Sequence, residues 1–216
     1  MGKQIEIYPK IFTWLFIGLI TTFISGATLA MNPVLLVQIL SFGILPIVII
    51  ELVIAIVLSA RIVKMKPLTA KICYLLYSFI TGITFSTIFI VYELSSLISI
   101  FLITSIIFAV LAIYGYKTKR DLSNFGTILI VSLLITLIIS ILNYFIFKNA
   151  VTDIIMNIIG VIIFCGFIAY DMSKIKNMLP IIGEEKTAVY GAFQLYLDFI
   201  NLLIRLLELF GKKRDN

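Results

Sequence analysis

The sequence predicts an all-α membrane protein whose helices cross the bilayer seven times, and three observations carry that prediction. Of its 216 residues, 62% are hydrophobic and 13% charged, whereas a soluble domain holds about 25% charged and about 45–50% apolar residues. The apolar residues gather in seven runs, each near or above the ~20 residues that cross a ~30 Å hydrocarbon core. The last run, Thr187 to Phe210, is interrupted only at Thr187, Gly191, Gln194, Asp198, Asn201, Arg205 and Glu208, spaced alternately four and three. At ~100° per residue that spacing lays the polar groups along one line of a helix. A polar seam is tolerated at bilayer depth only against protein or a water-filled cavity. The last run is therefore the candidate functional interior, the rest its wall, and residues 1–216 read as one integral membrane domain.

In chain order the runs cover about 11–31, 39–59, 72–91, 97–116, 125–147, 151–177 and 187–210. The first follows a short polar stretch with Lys3 and Lys10. Thr28-Leu29-Ala30 loosely mimics a signal-peptide cleavage site, but a run of ~20 residues exceeds the usual apolar region of about 7–15, which favours a retained span. Gly2 does not begin a myristoylation signal, because Glu6 stands where Ser or Thr is needed. Asn32-Pro33 and Met178-Leu179-Pro180 are expected to end helices, and Asp121 or Ser123 to cap the fifth span.

Basic residues set the expected orientation. Lys3, Lys10, Arg61, Lys64, Lys66, Lys71, Lys117, Lys119, Arg120, Lys174, Lys176 and Lys186 fall on one side, and Lys148 alone lies between spans on the other. Positive residues stay inside, so a multi-pass protein of the cell membrane with a cytoplasmic N-terminus is expected. An odd number of spans then sends Lys212-Lys213-Arg214 outward, against the same rule. The alternative is a last helix that re-enters and returns; a seam running the whole length of the run favours a complete span. The net charge of +6 is spread singly through short loops, which marks topology and a lipid bilayer as the partner, with no nucleic-acid signal.

Cys73 and Cys165 lie in apolar runs and read as free buried thiols. The absence of histidine removes the commonest transition-metal ligand and the usual proton switch. Any response to pH or cations must therefore use carboxylates. The charges within spans are Glu51, Asp171, Asp198, Arg205 and Glu208, and each carboxylate at bilayer depth costs roughly 2.5–3.5 kcal/mol unless it finds a partner, a proton or water. The second run travels inward to Arg61, the sixth travels inward through Asp171, and the seventh starts on that side and reaches Asp198 about 15 Å along its axis. Arg61, Asp171 and Asp198 are thus expected to converge on the cytoplasmic half, with Lys174 and Lys176 reaching to the surface.

Two carboxylates in one low-dielectric site do not both ionise cheaply, so such a pair holds a proton between them as a pH-sensitive hydrogen bond. Ionised, they offer the hard oxygen ligands that Ca²⁺ takes. Arg61 close by would pin Asp171 as a latch. Asp171, Asp198 and Arg61 are the candidate pH sensor and gate, Asp171 and Asp198 the candidate calcium ligands, and Glu51, Gln194, Asn201, Arg205 and Glu208 the candidate pore lining. A merely structural pairing of Asp198 with Arg205 is disfavoured, because seven residues separate them by about 10 Å along the helix. Arg205 is better placed for Glu208 or Asn201.

Four stretches carry a resemblance: TGITFS (Thr81 to Ser86), YGYKTKRDLSNFG (Tyr114 to Gly126), AYDMSKI (Ala169 to Ile175) and GAFQLYLDFINLLIRLL (Gly191 to Leu207). Through them the chain resembles the Bax inhibitor-1 family, bacterial members included, from about the second span onward. The aspartates of AYD and LYLDFINL are the most specific marks. The resemblance implies six helices around a central C-terminal seventh, and a pH-responsive calcium leak whose paired aspartates match Asp171 and Asp198, with Arg61 as the latching arginine. Thr87 stands where proline is expected, Met172-Ser173 where Thr-Gln is commoner, and Arg205 with Glu208 adds charge to a more apolar stretch.

Two other functions compete. An intramembrane aspartyl protease also uses two aspartates on successive spans, but it carries Gly-x-Gly-Asp and Pro-Ala-Leu, whereas this chain has Tyr196-Leu197-Asp198 and neither motif. No enzyme is therefore expected. A non-conducting regulator that binds a membrane protease or another membrane protein is the alternative to the leak. No permanently bound cofactor is expected, and calcium is the ion expected to be bound or carried.

Overall fold

The computed structural model describes residues 2–41 and 43–214, without the side chains of residues 2–6 and of Pro33. The expectations placed on the side chains of Lys3 and Glu6 lie outside the described residues. The helices are α1 (Gly2–Ala30), α2 (Pro33–Leu40), α3 (Ile44–Arg61), α4 (Pro67–Val91), α5 (Leu94–Lys117), α6 (Ser123–Leu142), α7 (Ala150–Ile182) and α8 (Glu184–Phe210). A 3₁₀ turn, Ile62–Lys64, follows α3, and a π turn, Asn143–Phe147, follows α6. Six segments are long and apolar enough to cross a membrane: Ile7–Ala30, Ile44–Lys64, Pro67–Val91, Leu94–Lys117, Ser123–Phe147 and Ala150–Ile182. The chain is an all-α polytopic membrane protein. Its outward faces suit lipid, with Phe16 63% exposed and Ile106 and Ile162 each 65%.

Several boundaries differ from the sequence expectation. α1 begins at Gly2 and runs through Pro9, well ahead of residue 11. The second run, expected from residue 39, divides into α2 and α3. Asn32 Oδ1 accepts the Leu35 N–H at 3.3 Å and Pro33 opens α2, while Gly43, at φ +84°, turns the chain before α3. At the far end of α7, Met178-Leu179-Pro180 does not stop the helix. It continues to Ile182, where Gly183, at φ +78°, donates its N–H to Leu179 O at 3.2 Å. That left-handed glycine is the true terminator, and Pro180 in the last turn forgoes a single bond. At the start of α6 neither expected residue is the cap: Leu122 takes that position without a side-chain bond, while just ahead of it Asp121 Oδ1 accepts from Ser123 Oγ at 2.6 Å and Ser123 N–H at 2.9 Å.

The larger difference concerns α8. It is not among the six membrane-length apolar segments. Nor do its apolar faces meet lipid: from Thr187 to Leu207 no residue is exposed. The seam is the less buried side, with Gln194, Asn201 and Arg205 half-buried while Leu195, Tyr196 and Leu202 are fully enclosed. A helix apolar on most sides is buried all round within protein.

Two compact units make up the chain. In the first (Met1–Leu94, Met178–Tyr196 and Lys213–Asn216), α1 lies along α4. A methyl at Gly18 would sit 1.9 Å from the Tyr74 hydroxyl, and one at Gly26 2.9 Å from Gly82 O, so small residues set how closely these helices approach. Tyr74, Tyr77, Phe193 and Tyr196 meet edge to face at centroid distances from 5.4 to 6.1 Å. α8 starts beside the first turns of α4, with Glu185 3.8 Å from Lys71 and Glu184 paired to Lys10. Beyond α8, Arg214 donates its N–H to Val91 O at 2.9 Å and Nε to Tyr92 O at 3.1 Å. The chain thus meets both ends of α4 before and after α8.

The second unit (Ser95–Asn177 and Leu197–Lys212) sets α7 against α5 and α6 through glycines. A methyl at Gly115 would lie 2.3 Å from Ala169 O, one at Gly126 2.3 Å from Tyr170 Cζ, and one at Gly166 2.7 Å from Leu129 Cδ2.

Candidate functional site

On α7, Asp153, Asn157, Gly160, Phe164, Phe167 and Asp171 recur at alternate intervals of four and three, one line down the helix. On α8 the seam continues through Asp198, Asn201, Arg205 and Glu208. The two lines face each other in opposite directions, with Asp171 meeting Asp198 at one end and Asn157 meeting Arg205 at the other.

The Asp171 and Asp198 carboxyls are interacting neighbours, and each residue exposes only 5% of its surface. Two such carboxyls can hydrogen-bond to each other only when one of them carries a proton. Asp198 Oδ2 has no hydrogen-bond partner among the described residues, a buried acceptor that is costly to leave unmet. The Lys174 charge acts on Asp171, and its ammonium lies 5.5 Å from the centre of the Tyr170 ring.

Local packing explains why Asp171 sits where it does. Gly115 and Gly126 bound the YGYKTKRDLSNFG stretch, and they touch Ala169, Met172 and Tyr170, the residues on either side of Asp171. Lys176 Nζ donates to Tyr116 O at 2.8 Å and Thr118 O at 2.9 Å, closing off the last carbonyls of α5. Two of the stretches singled out in the sequence are therefore halves of one interlock. Lys176 reaches the surface as expected, and there its ammonium bonds at the end of α5.

Arg205 Nη1 donates to Asn157 Oδ1 at 2.7 Å and to Glu208 Oε2 at 3.4 Å, and its stem crosses Gly160, where a methyl would lie 3.0 Å from Nε. The expected Arg205–Glu208 contact is present. Phe164 and Phe167, both buried, lie between this group and the acids on the α7 line, their rings 6.1 Å apart. Asn201 Nδ2 turns back to Leu197 O of its own helix at 2.7 Å.

The other candidates lie in the first unit. Glu51 Oε2 accepts from Thr84 Oγ1 at 2.6 Å, and Gln194 Nε2 donates weakly to Ser59 Oγ at 3.4 Å. Arg61 is the last residue of α3 and is exposed. Among the described residues no three acidic or cysteine side chains cluster as a metal site. An ion at the pair would draw on two carboxyls and complete its six to eight oxygens with water or backbone. Cys73 and Cys165 are both free thiols, half-buried. The residues missed at the level of sequence are Asn157, Gly160, Phe164 and Phe167, and the four-three spacing on α7 was the signal for them.

These features define a class: an all-α polytopic membrane protein with a buried carboxyl pair on two antiparallel helices. Residues 6–215 match the family described as "Inhibitor of apoptosis-promoting Bax1". The chain belongs to this Bax inhibitor-1 family. It is 38% identical over 214 residues to "Inner membrane protein YbhL" of Escherichia coli (strain K12), covering 95% of this chain and 91% of that one. It is 32% identical over 214 residues to a protein of Borreliella burgdorferi, covering 96% and 92%. A protein of Rickettsia prowazekii is 36% identical over 156 residues, 70% of this chain and 66% of its own.

Proposed function

We propose that this protein is a pH-sensitive calcium leak of the cell membrane, gated by the Asp171–Asp198 pair. The observation that carries the reading is a pair of buried, interacting carboxyls with one oxygen, Asp198 Oδ2, left without a hydrogen-bond partner among the described residues. Such a pair holds a proton or a cation, and exchanging one for the other links ion passage to pH. Arg61 is proposed as the latch that holds the closed state through Asp171. The finer architecture belongs to the same proposal: seven crossings, six helices around α8, and a cytoplasmic N-terminus. The enclosure of α8 from Thr187 to Leu207 supports it, and the relative YbhL is named as an inner membrane protein. The reading assigns no catalysis and no resident cofactor; calcium is cargo.

Calcium flux into proteoliposomes made with the purified protein tests this. Replacing either acid removes the coupling of the pair, so Asp171→Asn and Asp198→Asn should each flatten the response between about pH 6 and 8. Glu208→Gln, near the other end of the seam, should keep it. An intact response in both aspartate variants with its loss in Glu208→Gln would place the sensor elsewhere. No flux from folded protein at any pH would favour a non-conducting regulator that binds another membrane protein.

A further inference from the structure

The second polar group on the α7–α8 seam has its own chemistry. Arg205 is held from three directions: Asn157 Oδ1 at 2.7 Å, Glu208 Oε2 at 3.4 Å, and the bare backbone of Gly160 beneath its stem. A long side chain with many rotamers is thereby set in one place. Its position along α8 is seven residues, about 10 Å, beyond Asp198, with Phe164 and Phe167 between the two groups on the facing line. Glu208 lies farther toward the end of α8 and is exposed. The pair is therefore a dipole with its negative end at the end of the helix and its positive end toward the acids. On the leak reading, an ion drawn in by Glu208 next meets this guanidinium.

We propose that Arg205 is a specificity-determining residue of the seam, a fixed positive charge that selects among cations by valence. This rests on the leak reading above. The electrostatic barrier at a fixed charge is proportional to the charge of the passing ion, so a divalent cation meets twice the barrier of a monovalent one. Asn157 and Gly160 are positioning residues that keep the guanidinium on the seam.

The test compares Ca²⁺ and K⁺ flux through proteoliposomes carrying wild type, Arg205→Gln or Arg205→Lys. Because rates depend exponentially on barriers, the gain for Ca²⁺ in Arg205→Gln should be the square of the gain for K⁺: a ~10-fold rise for K⁺ predicts ~100-fold for Ca²⁺. Arg205→Lys, which keeps the charge, should stay near the wild-type ratio. Gly160→Ala provides a second route, because its methyl pushes the guanidinium aside without removing it, and the Ca²⁺/K⁺ ratio should rise partway. Equal gains for both ions, or a ratio unmoved by Arg205→Gln and Gly160→Ala alike, overturns this inference while leaving the leak intact. Absence of ion flux in wild type and every variant overturns the leak reading and this inference with it.

Discussion

Gly115→Ala is the substitution whose effect can be worked most directly from the structure. The added methyl would lie 2.3 Å from Ala169 O and 2.8 Å from Met172 Cβ, whereas a relaxed C···O contact is about 3.3–3.6 Å. Neither obstacle is the free end of a side chain, so α5 and α7 must part by about 1 Å, at the upper end of the overpacking range, about 3 kcal/mol. Replacing a helical glycine by alanine returns about 1 kcal/mol through backbone entropy. The net loss of about 2 kcal/mol corresponds to a fall of about 4–8 °C for a chain of this size. Gly160→Ala is the internal control: its methyl meets the movable Arg205 stem at 3.0 Å, a cost of about 1 kcal/mol that the same helical gain offsets. Thermal unfolding in detergent, read by the reaction of the half-buried thiols of Cys73 and Cys165 with a fluorogenic reagent, should rank wild type and Gly160→Ala together and Gly115→Ala clearly below. If Gly115→Ala melts with wild type, or above Gly160→Ala, the interlock does not hold α7 as described.

Arg61→Ala should raise calcium leak by removing the attraction that holds the latch, modestly because Arg61 is exposed and exposed pairs are worth about 0–1 kcal/mol; unchanged or lower flux from folded protein would remove Arg61 from the gate. Cysteines at Ser123 and Ser95, both exposed, should react with an impermeant reagent only from the cytoplasmic side and only from outside, respectively, and the reverse pattern would invert the topology. A cysteine at Lys213 should label from the same side as Ser95, because the adjoining Arg214 bonds to Val91 and Tyr92; the corresponding expectation for Asn216 lies outside the described residues. The Ser123 hydroxyl first, and its backbone N–H second, hold the exposed Asp121 carboxyl below its ordinary value. A carboxyl so lowered supports the start of α6 above the ordinary carboxylate range and ceases to as pH falls through the lowered value. Amide exchange at Ser123 should therefore be protected at neutral pH and lose that protection only in acid, and Asp121→Ala should abolish it throughout; loss of protection near neutrality would contradict the Asp121–Ser123 bond.

Much of the candidate site was legible because it is periodic. The seam of α8 and the pairing of Asp171 with Asp198 follow from spacing and from the cost of a carboxylate in an apolar run. Glu51 and Gln194 were not placed so well. Their partners, Thr84 and Ser59, lie on helices whose adjacency no local pattern states, and a hydroxyl in an apolar run gives no sign of which distant group it will meet. The errors at helix ends have a similar origin. Gly43 and Gly183 act through positive φ, a conformation that a glycine permits without announcing, and Pro180 was outweighed by the cap just beyond it.

By itself the sequence determined the class of the protein, the main membrane-length helices and the line of polar groups down the last one. Those properties depend on composition and on the 3.6-residue repeat, which act within a single segment. Only the tertiary structure decided that α8 is enclosed on its apolar faces, that Gly115, Gly126 and Lys176 join two distant stretches around Asp171, and that Arg205 rests on Gly160. Each of these is a matter of how closely two helices approach, and that distance is set by the side chains meeting at the crossing, not by either helix alone.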